Sequence, residues 1–303
     1  MCEHDLKKDY NAHTYEDSVI SPTYDEGGYT LHTCSVCGYS YKDTYTNPIE
    51  NPFRITYNLD GGTNDLSNPS SFNEETTTIS RNQNGEYPQT KVTDSTLIEA
   101  LNKMSSSNQD NQGYYTYNGE KYAYIDFVWR LVEPIKWRYM STDESGYVQM
   151  VSQNVLTEYF WNSSTEQYED GSYANNYYKS DIREWLNNEF LNEAFYYDAS
   201  LLVITTVDNS ASTTSSSTNE YACQNTEDKL YLLSYQDVNN KAYGFTVERS
   251  RVAEYDGERC YYWLRSNRYT SDVNIVSSYG DIYRTDVNNY YGVRVACKFN
   301  FNN

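Results

Sequence analysis

Histidine is scarce and confined: the chain has 3, the last of them His32. Residues 33–303 therefore hold no Ser-His-Asp triad, no histidine general base and no histidine-ligated catalytic zinc. Basic residues are also few, 23 Lys and Arg against 43 Asp and Glu, a net charge of -20. That balance excludes a nucleic-acid partner, because phosphates demand basic patches. Long apolar runs are missing too, and mean hydropathy is -0.84. The longest candidate, Leu201–Ile204, falls far short of the roughly 20 residues of a membrane helix and is expected in a strand. No basic and apolar leader separates Met1 from Cys2. The chain is accordingly read as cytoplasmic or, preferably, as a mature extracellular or cell-surface product freed of its signal. A lipid on Cys2 competes with a metal for that thiol.

What is abundant is tyrosine, 35 of 303 residues. A core in such a chain borrows the bodies of Tyr and Trp. Three zones follow from composition: 1–48, which holds every His and half of the 6 Cys; 49–83, a short β unit; and 84–303, which holds all 5 Trp.

In the first zone Cys34 and Cys37 form a CxxC knuckle with Gly38 supporting the turn, a ligand pair for tetrahedral zinc. Cys2 with His4 or His13 supplies the other ligands, and both choices of His stay open. A structural zinc lets so short a segment fold, since it cannot bury enough apolar surface alone. A lone CxxC is equally compatible with a disulfide or a free thiol pair. Residues 13–45 also resemble a small module of bacterial surface proteins that reads H-x-Y, V-x-x-P-T, G-Y-T and H-T-C-x-x-C-G-x-S-Y. Tyr24 stands where many members carry another Cys.

FRITYNLDGGTNDLSNPSSFNEETTTI, residues 53–79, alternates Ile55, Tyr57 and Leu59, turns at DGG and ends at Ile79, a hairpin-like pattern. Through ITYNLDGGTN it resembles the opening half of the Listeria–Bacteroides repeat. The second half of that repeat is missing, so the segment reads as a spacer without chemistry.

In the third zone DSTLIEAL offers an N-cap at Asp94 or Ser95 before Leu97, Ile98 and Leu101. SDIREWLNNEFLNEAF sets Ile182, Trp185, Leu186, Phe190 and Phe195 on one face, with Ser180 or Asp181 as cap. WRYM, YVQMVS and KLYLLS are short alternating strands, and SASTTSSSTN, residues 210–219, reads as a mobile loop. The expectation is an α+β fold with two helices among many short strands. The order of SDIREWLNNEFLNEAF, DKLYLLSYQDV, YYWLRS and GVRVACKF over residues 84–299 resembles a domain of Firmicutes surface and phage-associated proteins. That domain is similar in turn to the C-type-lectin-like fold of formylglycine-generating enzymes and of the variable proteins of diversity-generating retroelements. The resemblance implies that the chain ends pair as strands, that GVRVACKF is the last core strand, and that long loops carry a ligand surface.

Variable proteins of this kind diversify a C-terminal segment at template adenines. An AAC codon so mutated never yields Lys, Glu, Gln, Met or Trp. These five types make up 50 of residues 1–264, so about six are expected in residues 265–297, and none is present. Local bias toward Tyr, Asn and Ser is the plain alternative. Within the stretch, Leu264, Val273, Val276, Ile282, Val287, Val293 and Val295 are expected to face inward, with turns at Gly280 and Gly292. The residues expected to face a ligand are Asn267, Arg268, Tyr269, Ser271, Asp272, Asn274, Ser278, Tyr279, Asp281, Tyr283, Arg284, Asp286, Asn288, Asn289, Tyr290 and Tyr291. Tyr supplies large, rigid contact area and Asn, Ser and Asp supply adaptable hydrogen bonds, as in paratopes.

Of the late thiols Cys223, Cys260 and Cys297, a Cys260–Cys297 disulfide is one of three pairings. Arg265 and Arg294 are expected as core braces. Two carboxylates acting as a glycosidase pair have no specific support among so many acids, and no D-x-D-x-D calcium loop is present. The sequence is thus read as a non-enzymatic extracellular binding protein with a structural zinc module. Its partner is a protein or glycan on another cell or host surface. The rivals are a fixed carbohydrate-binding adhesin and a structural stalk.

Overall fold

The computed structural model describes residues 13–20, 27–46, 57–59, 72–74 and 85–300. They fall into two compact units, one within Met1–Arg54 and one within Ile55–Asn303.

The first unit is a three-stranded antiparallel sheet of Tyr15–Ile20, Tyr29–Cys34 and Ser40–Asp43. Its strands bury almost nothing; Cys34 is their one fully buried residue. Cross-strand polar contacts hold it instead. His32 on the central strand places Nδ1 2.6 Å from Asp17 Oδ1 and Nε2 2.8 Å from Asp43 Oδ1, one carboxylate from each outer strand. Its ring stacks on Tyr41 at 4.6 Å.

In the second unit Tyr57–Leu59 pairs antiparallel with Phe72–Glu74, where a hairpin-like unit was expected; Ile55 and Ile79 lie outside the described residues. Farther along, Glu86–Lys91, Val128–Pro134, Glu120–Ile125 and Tyr115–Tyr117 form a four-stranded sheet in that order. The helix Ser95–Leu101 starts with Asp94 accepting from Leu97 N at 2.9 Å. It packs Leu101 on Tyr122 and Trp129, with Leu97 and Ile98 beside them. Two two-residue hairpin turns in the unit have Gly at the second position, Asn118-Gly119 and Asp256-Gly257, with positive φ throughout. At a third, Asp126-Phe127, that position holds Phe127 at φ 64 and 91% exposed. A bulky L-residue is strained there and this one buries nothing in return. Phe127→Gly is therefore expected to stabilise the protein by about 1 kcal/mol in denaturant unfolding. A loss of stability would show that the ring packs.

The main core joins two further sheets. One is ordered Trp137–Thr142, Val148–Ser152, Val295–Phe299, Leu230–Leu232; the other is Thr157–Phe160, Tyr290–Val293, Tyr262–Asn267, Asp272–Val276, Ile282–Asp286. Met140, Val151 and Ala296 from the first share one buried cluster with Tyr262, Leu264 and Val276 from the second. The helical run Asp181–Trp185 widens into a π turn over Leu186–Phe190 and resumes as Leu191–Ala194. Ile182, Leu186, Phe190 and Ala194 are all buried, and their spacing of four drifts about 40° per step around an α-helix. The wider π turn takes up that drift and keeps them on one face. Ser180, rather than Asp181, is the cap, its hydroxyl accepting from Arg183 N.

The architecture is α+β and mostly β. Several expectations are corrected. Leu201–Ile204 is not a strand: Leu202 makes an isolated bridge to Phe299 and the strand begins at Thr205. Within residues 210–219, Thr213 and Thr214 are held, since Gln236 N and Ser266 Oγ both donate to Thr213 O and Thr214 is buried, while residues 215–218 are exposed. The first strand of the third zone, Glu86–Lys91, does not meet the last strand. Val295–Phe299 pairs instead with Val148–Ser152 and Leu230–Leu232.

Candidate functional site

Cys34 closes the central strand of the first unit, and the turn after it returns through Gly38 at φ 72, whose N–H donates to Cys34 O at 2.9 Å. Tyr15 pairs with Cys34 across the sheet. That register carries His13, two residues earlier, to the knuckle. His13 Nδ1 lies 3.2 Å from Cys34 Sγ and 3.4 Å from Cys37 Sγ, near the roughly 3.5 Å between corners of a zinc tetrahedron with bonds of about 2.0 and 2.3 Å. The three ligand atoms all lie within 4.8 Å of one another. The His13 contact, helped by the amides of Cys37 and Val36, draws the Cys34 thiol down to about 6, which favours the thiolate that metals bind. This group can hold a metal ion. Cys2 and His4 lie outside the described residues.

In the segment that follows Leu264, the residues expected to face inward do so. Leu264, Val273, Val276, Val287, Val293 and Val295 are buried, and Ile282 packs half-buried on the same core. Between them Tyr269 is 46% exposed, Tyr279 72%, Tyr283 54% and Tyr290 61%. Asp281, Arg284, Asp286, Asn288 and Asn289 are exposed, while Arg268, Ser271, Asp272 and Ser278 are half-buried. Tyr291 is half-buried with its ring 5.0 Å from Trp263.

Two of the expected surface residues are in fact buried. Asn267 donates from Nδ2 to Tyr221 O and receives Asn219 Nδ2, and Asn274 donates to Tyr283 O at 3.2 Å. An amide whose N–H groups reach a backbone carbonyl can sit inside, where a count of polar residues places it outside. Gly292 is corrected too. It lies within the strand Tyr290–Val293 rather than in a turn, and a Cβ there would meet Tyr261 O at 2.7 Å.

The exposed residues form three patches. The first gathers around residues 268–272. Arg284 lies over the Tyr269 ring at 4.5 Å and bonds Asp272 at 2.7 Å, and Ser271 bonds Asp286 at 3.1 Å. Two residues that the sequence did not single out extend this patch, Tyr221, 6.3 Å from Tyr269, and Tyr173, 5.1 Å from Tyr221. They come from distant segments, so no local pattern marks them. The second patch is the hairpin tip Ser278, Tyr279 and Asp281, about 13 Å away along the strand Asp272–Val276. The third is Asn288, Asn289 and Tyr290, whose ring meets Phe160 at 5.7 Å. The strand of Tyr290 stands three places from that of Tyr283 in the sheet, about 14 Å.

Arg265 and Arg294 brace the scaffold beneath. Arg265 bonds Asp237 and Leu232 O, each at 2.7 Å. Arg294 donates to Ser152 O at 2.8 Å and to the Tyr262 hydroxyl. Cys223, Cys260 and Cys297 are all free, so the Cys260–Cys297 disulfide does not form. Cys260 lies opposite Ala253, and Cys297 opposite Met150 and Leu230 in another sheet. Burial raises all three thiols, Cys260 to about 12, which leaves them unreactive.

A family described as a domain of unknown function, DUF6273, has a model that matches residues 145–300. No curated protein and no solved structure matches the chain. The matched span opens just before Val148–Ser152 and closes just after Val295–Phe299, two strands that pair antiparallel.

Proposed function

The chain belongs to this DUF6273 family, and we propose that it is an extracellular recognition protein whose residues 145–300 form a C-type-lectin-like domain displaying a diversifiable contact face. The observation that carries this reading is the segregation within residues 264–295: aliphatic side chains go into the core, while Tyr283, Arg284, Asp286 and Tyr290 on strands of the sheet and Tyr269, Tyr279, Asn288 and Asn289 on the turns between strands are exposed. Such a layout uncouples surface chemistry from folding. The pairing of the first and last strands of residues 145–300 fits the C-type-lectin-like resemblance better than the wider 84–303 span does. The lack of Lys, Glu, Gln, Met and Trp in residues 265–297 fits diversification at adenines, as in retroelement variable proteins. The partner is a protein or glycan on another cell or host surface. No helix among the described residues is long and apolar enough to cross a membrane.

The test is a protein and glycan array probed with the full chain and with a variant in which Tyr269, Tyr279, Tyr283 and Tyr290 become Ala. Binding should vanish in the variant. Binding that persists unchanged removes the face. Across strains, substitutions confined to residues 268–291 beside a reverse-transcriptase gene support diversification, whereas uniform drift supports a stalk.

For the first unit we propose a structural zinc held by His13, Cys34 and Cys37, with Cys2 or His4 completing the site. When bound, the ion supplies the cross-link that so thinly cored a sheet lacks. Elemental analysis should find about one zinc per chain, lost in Cys34→Ser together with the order of the first sheet. A metal-free sheet with unchanged amide protection sinks the zinc reading.

A further inference from the structure

Between the side chains of Asn267 and Asp272, which bond Tyr221 O and Arg284, the contact loop at residues 267–272 is held by its own carbonyl groups. Asn219 Nδ2 donates to Asn267 O at 3.0 Å. Asn175 Nδ2 donates to Tyr269 O and, at 2.9 Å, to Asp272 O. Val287 N donates to Ser271 O at 3.0 Å, and Arg268 N closes the turn onto Asp272 O at 2.9 Å. Of the side chains at 268–271, Arg268 meets Ser215, Tyr269 meets Arg284 and Tyr221, and Ser271 meets Asp286.

Asn175 is wholly buried, and its amide oxygen has no hydrogen-bond partner among the described residues. Two carbonyl acceptors can be met only by the NH2 end of an amide, which fixes its orientation. Leaving a buried acceptor unpaired is unfavourable, and an apolar side chain would avoid it. The fold keeps the amide where both of its N–H groups grip the loop.

Resting on the recognition reading above, we propose that Asn175 and Asn219 are positioning residues of the contact face. They set the path of residues 267–272 through its backbone, so the side chains at 268–271 can be exchanged without moving the chain that presents them.

Hydrogen exchange on the full chain tests this without any ligand. It reads the amides of Arg268 and Val287, with those of Met150 and Cys297 in the other sheet as references. A variant carrying Arg268→Ser, Tyr269→Ser, Thr270→Ser and Ser271→Ala should exchange at Arg268 and Val287 within about twofold of the parent. Asn175→Ala and Asn219→Ala should each speed those two amides by about tenfold and leave the references unchanged. Asn175→Asp, which keeps the shape and removes the donors, should do the same if Asn175→Ala does not fold. The proposal is overturned if the fourfold variant loosens the loop as much as the Asn variants do. It is equally overturned if the Asn variants leave the loop unchanged or loosen the reference amides as well. Loss of array binding by the tyrosine variant bears only on recognition, so the two readings fail separately.

Discussion

Gly280→Ala is expected to lose about 3 kcal/mol or more of stability. Gly280 has φ 91, and a Cβ built on it would sit 1.8 Å from Glu248 O and 2.5 Å from the carbon of that carbonyl. Both are backbone atoms of the turn Glu248–Arg251 and cannot rotate away. That turn is itself anchored, because Arg251 donates from Nε to Val238 O and from Nη2 to Asn239, each at 2.7 Å, while its Nη1 reaches Gly280 O at 3.2 Å. The whole tip from Ser277 to Asp281 must therefore lift. Denaturant unfolding measures the loss. A change below about 0.5 kcal/mol would show that the tip does not dock on residues 248–251.

Asp237→Ala should cost about 3 to 5 kcal/mol. Its carboxylate accepts from Arg265 Nη1 at 2.7 Å and from Ser234 N at 2.8 Å, and its own N–H donates to Ser234 Oγ at 3.0 Å. Arg265 is only 7% exposed, with carbonyl acceptors at Leu232 and Asp208 but, among the described residues, no second carboxylate in ion-pair contact. Deleting Asp237 thus strands a buried guanidinium and removes the carboxylate cap on Ser234 N. The double variant Asp237→Ala with Arg265→Met should recover more than half of the loss, since it removes the uncompensated charge. Equal losses in the single and double variants would assign the effect to the cap alone.

Much of the scaffold was legible in the sequence because the cues are local. Ser180 before Ile182, Leu186 and Phe190 announces a capped helix, alternation announces Val148–Ser152, and the resemblance implies the last strand, Val295–Phe299. The inward set from Leu264 to Val295 also follows from apolar character alone. Several of the errors share one cause, long-range hydrogen bonding. Asn267 and Asn274 look like surface residues until partners at Tyr221, Asn219 and Tyr283 are known. Thr213 looks loose until Gln236 and Ser266 close on it. Tyr173 and Tyr221 join the first patch only through the tertiary fold, and the π turn arises from a spacing that reads as ordinary helix. At the metal group, the CxxC could be read directly. The choice of His13 needed the strand register that sets Tyr15 opposite Cys34.

The hydrogen-bonded neighbourhood of Val148–Ser152 and Val295–Phe299 makes residues 145–300 a loop closed on itself, with entry and exit only a strand's width apart, about 5 Å. A piece of chain of that kind can be spliced into unrelated hosts, because the host need only bring two ends side by side. Such an insertion leaves behind the edge strand Trp137–Thr142, which pairs with Val148–Ser152, and the bidentate grip of Arg130 on Asp256, at 2.7 and 3.0 Å. Every new host must therefore offer its own cation to that hairpin or leave the carboxylate to water.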